Sequence, residues 1–268
     1  PLASNLTLEQ QKNLFGNAYL NMLWHCPTDQ RFPYWVHLPD CYYDEKDPHY
    51  KLLVIIHGTG CAVEDYVRHA KELADRDHVA VLAPLFPGGL IQRDDFNSYK
   101  LLSCDGVRYD QILLDMIDDM AKRYPGVETD KFFLFGHSGG GQFVNRFLFA
   151  HPEKLRACAI GAPGRPTFLN PDEDYFWGTR DFKNYFGHDV DLAAVQKVPV
   201  LVIVGENDTK FIGDSPYGDN RVARMKSLQK NLQDHGVHTE LTILPGFAHE
   251  GGEKERVQAA QHFFEAYL

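Results

Sequence analysis

Short apolar runs of strand length alternate along the chain with longer stretches in which apolar residues recur at helical spacing. Lys51–His57 is almost continuously apolar, which predicts a strand covered on both faces. Val107–Tyr124 carries a helical stripe of apolar residues and is followed by the breaker pair Pro125-Gly126. The predicted strands are Arg31–Leu38, Lys51–His57, His78–Ala83, Lys131–Phe135, Leu155–Ile160, Pro199–Val204 and Thr239–Leu244. The predicted helices are Glu64–Arg76, Val107–Tyr124, Gln142–Ala150, Arg221–His235 and Glu253–Leu268.

This alternation predicts an α/β fold with a mostly parallel central sheet and helices on both faces. Arg31–Leu38 alternates polar and apolar residues and ends at Pro39, which predicts an early antiparallel strand. No internal repeat, low-complexity segment or long linker divides the chain. We therefore expect residues 1–268 to form a single domain.

One segment, about 163–197, interrupts the alternation. It is rich in Pro, Gly and Asp and carries many aromatic residues, among them Phe176 and Trp177. Because it is too long for an ordinary connection, we expect a small lid-like insertion or pocket wall, with Phe176 and Trp177 contacting substrate. The alternative is a surface excursion whose aromatic residues pack into a separate cluster of their own.

Charge and composition narrow the possible partners and location. The net charge of −10 argues against nucleic acid or an anionic membrane as the main partner. No apolar stretch approaches the roughly 18 residues of a membrane span, and the amino terminus lacks the pattern of a signal peptide. The five cysteines are widely spread and never spaced C-x-x-C, so we expect a cytoplasmic protein with reduced thiols; the alternative is a secreted form with one or two disulfide bridges.

The strongest chemical signal is Gly136-His137-Ser138-Gly139-Gly140, which reads as G-x-S-x-G. It directly follows a predicted buried strand and directly precedes a predicted helix, the context in which this pattern holds a nucleophilic serine. Such a turn exposes the serine hydroxyl above the sheet, and the helix aims N–H groups at negative charge forming on a substrate. The alternative is a tight glycine turn with a capping serine. The glycine run is not a phosphate loop, because no G-K-S/T follows it, and we expect neither cofactor nor metal.

On these residues the chain resembles the α/β-hydrolase fold family, from the strand before His57 to the last helix. The resemblance implies the order oxyanion loop, serine, acid and histidine. It places the acid at Asp208, after the strand ending at Val204, with Glu206 and Asp214 as alternatives. It places the histidine at His249, after the last strand. A serine needs such a base and the base needs an orienting acid.

The resemblance also implies an oxyanion hole made of two backbone donors. One is the N–H of Gly139, directly after the nucleophile. The second comes from His57-Gly58-Thr59-Gly60, which matches an H-G-x-G loop. Thr59 is the predicted donor, and Gly58, Gly60 and Cys61 are the alternatives. His57 is expected to brace this loop rather than to take part in catalysis.

A serine at the elbow disfavours epoxide hydrolases and haloalkane dehalogenases, which use aspartate there, and thiol-based lactone hydrolases, which use cysteine. The sequence therefore predicts a carboxylesterase-like serine hydrolase. Its substrate would be a small, largely apolar ester, lactone or thioester, cleaved through an acyl-enzyme. The motifs look closer to small-substrate esterases and polyester depolymerases than to large lipases. The alternatives are a lyase or C–C bond hydrolase using the same triad, or a non-catalytic small-ligand receptor of the same fold.

Overall fold

The computed structural model describes residues 5–44 and 49–268. Its strands are β1 Asn21–His25, β2 Pro33–His37, β3 Tyr50–Ile56, β4 Val79–Pro84, β5 Ser103–Cys104, β6 Val107–Arg108, β7 Val127–His137, β8 Leu155–Gly161, β9 Val200–Gly205 and β10 Thr239–Leu244. Its α-helices are α1 Leu8–Phe15, α2 Val63–Asp77, α3 Tyr109–Arg123, α4 Gly139–Ala150, α5 Phe182–Phe186, α6 Leu192–Val195, α7 Arg221–Asp234 and α8 Glu253–Glu265.

Eight strands form one sheet in the order β1-β2-β4-β3-β7-β8-β9-β10. Neighbouring strands pair in parallel along β4, β3, β7, β8, β9 and β10. Strands β1 and β2 are antiparallel to their neighbours. The predicted mostly parallel sheet is confirmed, as is the antiparallel strand near residue 35. Strands β5 and β6 form a separate two-stranded ribbon.

The sheet is covered on both faces because its central strands are apolar on both. Along β3, Leu53 and Ile55 belong to a core cluster that includes residues of α2 and α8. The intervening Leu52 and Val54 belong to a larger cluster that includes residues of α3, α4 and α7. Each fully buried aliphatic side chain contributes about 1.5–3 kcal/mol relative to exposure. The predicted helices on both faces are therefore confirmed.

The sequence pattern did not predict α1 or β1. Helix α1 begins with a capping box in which Thr7 and Gln10 exchange side-chain and backbone hydrogen bonds. Strand β1 lies at the sheet edge with no fully buried residue, and its apolar run is only the three residues Met22–Trp24, shorter than the runs that reveal the central strands. Helix α8 also ends three residues before the predicted limit at Leu268.

The segment 163–197 contains the short helices α5 and α6. Its aromatic residues Phe168, Tyr175, Phe182 and Phe186 are buried and belong to the larger core cluster. The alternative of a separate aromatic cluster is therefore wrong: these rings extend the main core. Phe176 and Trp177 are only partly buried and pack against its edge.

Within the described residues, no helix is both long enough and apolar enough to span a membrane.

Candidate active site

Ser138 lies on the turn between β7 and α4. Its φ and ψ are 57° and −112°, a conformation that non-glycine residues rarely adopt. Its backbone N–H donates to the carbonyl of Gly161 at the end of β8, at 2.8 Å. The adjoining strand and helix thus hold a strained residue at the carboxyl edge of the sheet, as functional sites often require.

The glycines of the motif are dictated by close backbone packing. A Cβ on Gly136 would lie 2.5 Å from the Gly140 carbonyl oxygen, and one on Gly140 would overlap the carbonyl of Ile56. Real Cβ atoms do not approach backbone this closely. The glycines of the G-x-S-x-G pattern are therefore required by the close packing of β7, α4 and β3 beneath the serine.

The structure brings Ser138, His249 and Asp208 into one hydrogen-bonded chain. The His249 Nδ1–H donates to Asp208 Oδ2 at 2.7 Å, and Ser138 Oγ donates to His249 Nε2 at 3.0 Å. Because the carboxylate fixes the proton on Nδ1, the Nε2 lone pair faces the serine. This is the arrangement in which histidine can remove a proton from the hydroxyl.

Asp208, and not Glu206, is the carboxylate on the histidine. Asp208 is only 1% exposed and is also approached by Arg221, whose Nη1 lies 3.4 Å from Oδ1. Glu206 is exposed and accepts instead from the backbone N–H of Gly246 at 2.9 Å. Asp214 lines a cleft beyond the triad.

Two residues outside the triad hold the histidine loop. Arg256 is fully buried, and its Nη2 donates to the carbonyls of Ala248 at 2.7 Å and His249 at 3.0 Å. His137 Nε2 also lies 3.1 Å from the His249 carbonyl, and the two imidazole rings pack 4.9 Å apart. Burial lowers the pKa of Arg256 and keeps the pKa of His137 well below its usual value. His137 therefore packs on the histidine loop from within the elbow as a neutral donor.

His57 supports the expected oxyanion loop from below. Its Nε2 accepts the backbone N–H of Phe86 at 3.0 Å, so its Nδ1 carries the proton and donates to the Gly58 carbonyl at 2.6 Å. Burial lowers the pKa of His57 to about 4, which keeps the ring neutral. These contacts are those of a residue that braces the loop.

The loop comes close to the residue after the nucleophile. A Cβ built on Gly139 would lie 3.1 Å from Thr59 Oγ1, so the two predicted oxyanion residues are neighbours. Gly139 is the first residue of α4, and the first N–H groups of a helix have no acceptor within the helix.

Phe176 and Trp177 line a cleft of about 650 Å³. Gln142, one helical turn after Ser138, and Lys100 lie in the same wall. The expectation of a largely apolar pocket is not met here, since Lys100, Arg165 and Arg224 also line the cleft. The reason is that most aromatic residues of 163–197 point into the core.

Nowhere in residues 5–44 and 49–268 do three or more His, Cys, Asp or Glu residues form a group that could hold a metal ion.

The sheet order, the serine elbow and the histidine after the last strand define the α/β-hydrolase fold class. The chain belongs to the dienelactone hydrolase family, whose model matches residues 39–266. It is thus a member of a hydrolase family, and it carries serine at the elbow.

Solved structures share this fold at low sequence identity. Poly(aspartic acid) hydrolase-1 from Sphingomonas sp. KT-1 has a TM-score of 0.73 at 20% identity, covering 90% of this chain and 96% of that one. LpqC, a poly(3-hydroxybutyrate) depolymerase from Bordetella parapertussis, has a TM-score of 0.72 at 19% identity, covering 99% and 96%. FphF, a fluorophosphonate-binding serine hydrolase of Staphylococcus aureus, has a TM-score of 0.63 at 17% identity, covering 92% and 96%. A search of curated proteins found no match.

Proposed function

We propose that this protein is a serine hydrolase that cleaves an ester-like bond of a small substrate through an acyl-enzyme. The observation that carries the proposal is the unbroken hydrogen-bonded chain from Asp208 through His249 to Ser138. It ends on a serine held in a strained conformation at a strand-to-helix turn. Family membership supports the hydrolase class, and the serine mechanism and ester specificity are what the proposal adds.

The first half-reaction forms the acyl-enzyme. Ser138 Oγ attacks the substrate carbonyl carbon while His249 Nε2 accepts the hydroxyl proton. Asp208 keeps its negative charge and stabilises the imidazolium. The N–H of Gly139 and a second N–H from the Thr59 region bind the developing oxyanion. His249 then gives its proton to the departing alkoxide, which leaves as an alcohol.

The second half-reaction restores the enzyme. Water attacks the acyl carbon with His249 as its base, and the carboxylic acid leaves as Ser138 regains its proton. No further co-reactant is needed. The segment 163–197 forms one wall of the substrate cleft through Phe176 and Trp177, the lid-like role that we propose for it.

Two of the similar structures support esters among the acyl substrates. LpqC is described as a depolymerase of a polyester, and FphF as a protein that binds fluorophosphonates, reagents that react with activated serines. We therefore place carboxylic esters first, with lactones and thioesters as related substrates.

The test is hydrolysis of p-nitrophenyl butyrate by the wild type and by three variants. Ser138→Ala and His249→Ala should each lower kcat by at least about 10⁴, because triad members act as one unit. Ser103→Ala, in the ribbon outside the triad, is the matched control and should keep wild-type turnover. Retention of a tenth of wild-type kcat in Ser138→Ala would show that another group is the nucleophile.

A further inference from the structure

Arg221 contacts the oxygen of the triad carboxylate that the histidine does not use. Its Nη1 donates to Asp208 Oδ1 at 3.4 Å, whereas His249 Nδ1 donates to Oδ2 at 2.7 Å. In the part of the chain that the structure describes, no other group donates a hydrogen bond to Oδ1. The two oxygens of the acid are therefore divided between a cation and the imidazole.

The charge of Arg221 is directed at this carboxylate rather than at solvent. Its side chain is 16% exposed, and Asp208 is its one ion-pair partner among the described residues. Its Nε is buried and has no hydrogen-bond partner within the described protein. Because removing a guanidinium from water is costly unless a counterion lies close, the position of Arg221 depends on Asp208.

The position of Arg221 on its helix also calls for an explanation. Arg221 is the first residue of α7, and the side chain of Asn220 before it caps the helix by accepting the N–H of Ala223. The amino-terminal end of a helix carries partial positive charge and disfavours cations. The first turn of α7 nevertheless contains two arginines and no acidic residue. Helix stability does not account for Arg221, whereas its contact with Asp208 does.

The contact acts mainly through charge. A distance of 3.4 Å is longer than that of a usual N–H···O hydrogen bond, and Coulomb attraction falls off more slowly with distance than hydrogen bonding does. A lysine at residue 221 should therefore preserve most of the effect, and an uncharged side chain of similar size should abolish it.

A cation on Asp208 changes the balance between the neutral and protonated forms of His249. A buried carboxylate by itself attracts a proton to the imidazole, and a protonated histidine cannot accept the serine proton. A cation on the second oxygen offsets part of that attraction. The charged and titratable groups around His249 are Asp208 after β9, Arg221 on α7, His137 in the elbow and Arg256 on α8, with Lys210 and Glu250 at the exposed edge. Of these, Arg221 is the cation in direct contact with the carboxylate.

We infer that Arg221 is a positioning residue of the triad, which holds Asp208 Oδ1 and through that carboxylate keeps His249 unprotonated and able to act as a base at mildly acidic pH. The inference rests on the proposed function and adds a residue to its machinery. Since Arg221 acts on the resting state of the base, its removal should lower kcat/KM at low pH far more than at high pH.

The test is the pH dependence of kcat/KM for p-nitrophenyl butyrate, from about pH 5 to about pH 9, with the butyrate product quantified by chromatography. In Arg221→Met the acid limb, where kcat/KM falls as pH is lowered, should move to higher pH by about one unit, because removing a nearby cation favours the imidazolium. The loss in kcat/KM should thus be about tenfold near pH 5 and no more than about threefold near pH 9.

Two further variants separate charge from structure. Arg221→Lys keeps the positive charge and should keep the acid limb within about 0.3 unit of the wild type. Lys226→Met is the matched control, since it removes one positive charge from an exposed residue of the same helix and should leave the limb in place. If Arg221→Met does not unfold cooperatively in urea, Arg221→Gln takes its place under the same criterion.

An NMR titration of the His249 ring checks the same effect without turnover. The ring signal is identified by its loss in His249→Ala. Its midpoint should move to higher pH in Arg221→Met by the same amount as the acid limb, and Arg221→Lys should restore it.

The outcomes separate this inference from the proposed function. A shift of the acid limb in Arg221→Met that is reversed in Arg221→Lys and absent from Lys226→Met supports the inference. An unmoved limb, a loss of activity that is equal at every pH, or a shift that Arg221→Lys shares overturns it while the serine hydrolase remains. Absence of turnover by the wild type at every pH overturns the proposed function, and the role of Arg221 in the reaction falls with it.

Discussion

Arg256→Met should slow turnover while changing the stability of the fold little. Arg256 has no contact with Ser138 or Asp208 among the hydrogen bonds of the described structure. Its Nη2 instead holds the carbonyls of Ala248 and His249, at 2.7 and 3.0 Å. It therefore acts as a positioning residue that fixes the loop carrying the histidine.

The magnitude follows from two opposing effects. Hydrogen bonds to a charged donor contribute about 1.5–3 kcal/mol each, so the loop loses about 3–6 kcal/mol of gross interaction. Methionine also relieves a buried cation whose desolvation costs several kcal/mol. Arg256 Nε and Nη1 have no hydrogen-bond partner within the described protein, which leaves that cost poorly compensated. The free energy of unfolding should thus change by less than about 2 kcal/mol.

Arg256→Met should affect turnover more than it affects the free energy of unfolding. His137 retains its contact with the His249 carbonyl, so the loop is loosened rather than released. We expect kcat to fall about tenfold to a hundredfold, equivalent to about 1.4–2.7 kcal/mol in the barrier. KM for a neutral ester should change by less than about threefold.

Steady-state kinetics and urea denaturation on the same preparation test this. Lys254→Met, which removes an exposed charge two residues away on α8, is the matched control and should change neither quantity. Arg256→Met with kcat within twofold of wild type would refute the reasoning. A loss of unfolding free energy large enough to account for the lost activity would show that Arg256 supports the whole fold instead.

Two further predictions concern carboxylates. Asp208→Asn should lower kcat by about 10²–10⁴, because the amide no longer fixes the proton on His249 Nδ1. Glu206→Gln should keep kcat within about threefold in the same ester assay. The reverse ranking of the two variants would identify Glu206 as the acid. Asp110 is fully buried, and although burial raises the pKa of its carboxyl, hydrogen bonds from His151 and Arg108 lower it to about 2. Since the folded-state pKa lies below the unfolded value, this carboxylate stabilises the fold by about 2 kcal/mol at neutral pH, and that contribution is lost as pH falls from about 4 through 2. The free energy of unfolding of wild type and of Asp110→Asn, measured by urea denaturation, should therefore differ less at pH 3 than at pH 6. A difference that stays constant over this range would contradict the prediction.

The central sheet and the elbow could be predicted because their constraints are local in sequence. A strand stretch buried on both faces must be apolar, as Leu52–Ile56 of β3 is, and only small residues fit where β7 meets α4. Strand ends also predict positions: the acid and the histidine lie directly after β9 and β10. The structure brings both side chains to Ser138.

Other features depend on contacts between distant segments. In the sequence, Arg256 looks like an ordinary helix residue. Its contact with the His249 loop arises only because α8 packs beneath that loop. Lys100, Arg165 and Arg224 are far apart in sequence, so no local pattern indicates that they share a cleft. The aromatic residues of 163–197 indicated a pocket, but composition cannot tell a ring that lines a cleft from one that extends the core.

The most direct test of an activated serine is intact-mass spectrometry after incubation with a fluorophosphonate. We expect one covalent adduct on the wild type, absent from Ser138→Ala and retained by Ser103→Ala. The adduct should also form much more slowly on His249→Ala, since the hydroxyl then lacks its base. No adduct on the wild type, or an adduct that survives Ser138→Ala, would contradict the claim that Ser138 is the nucleophile.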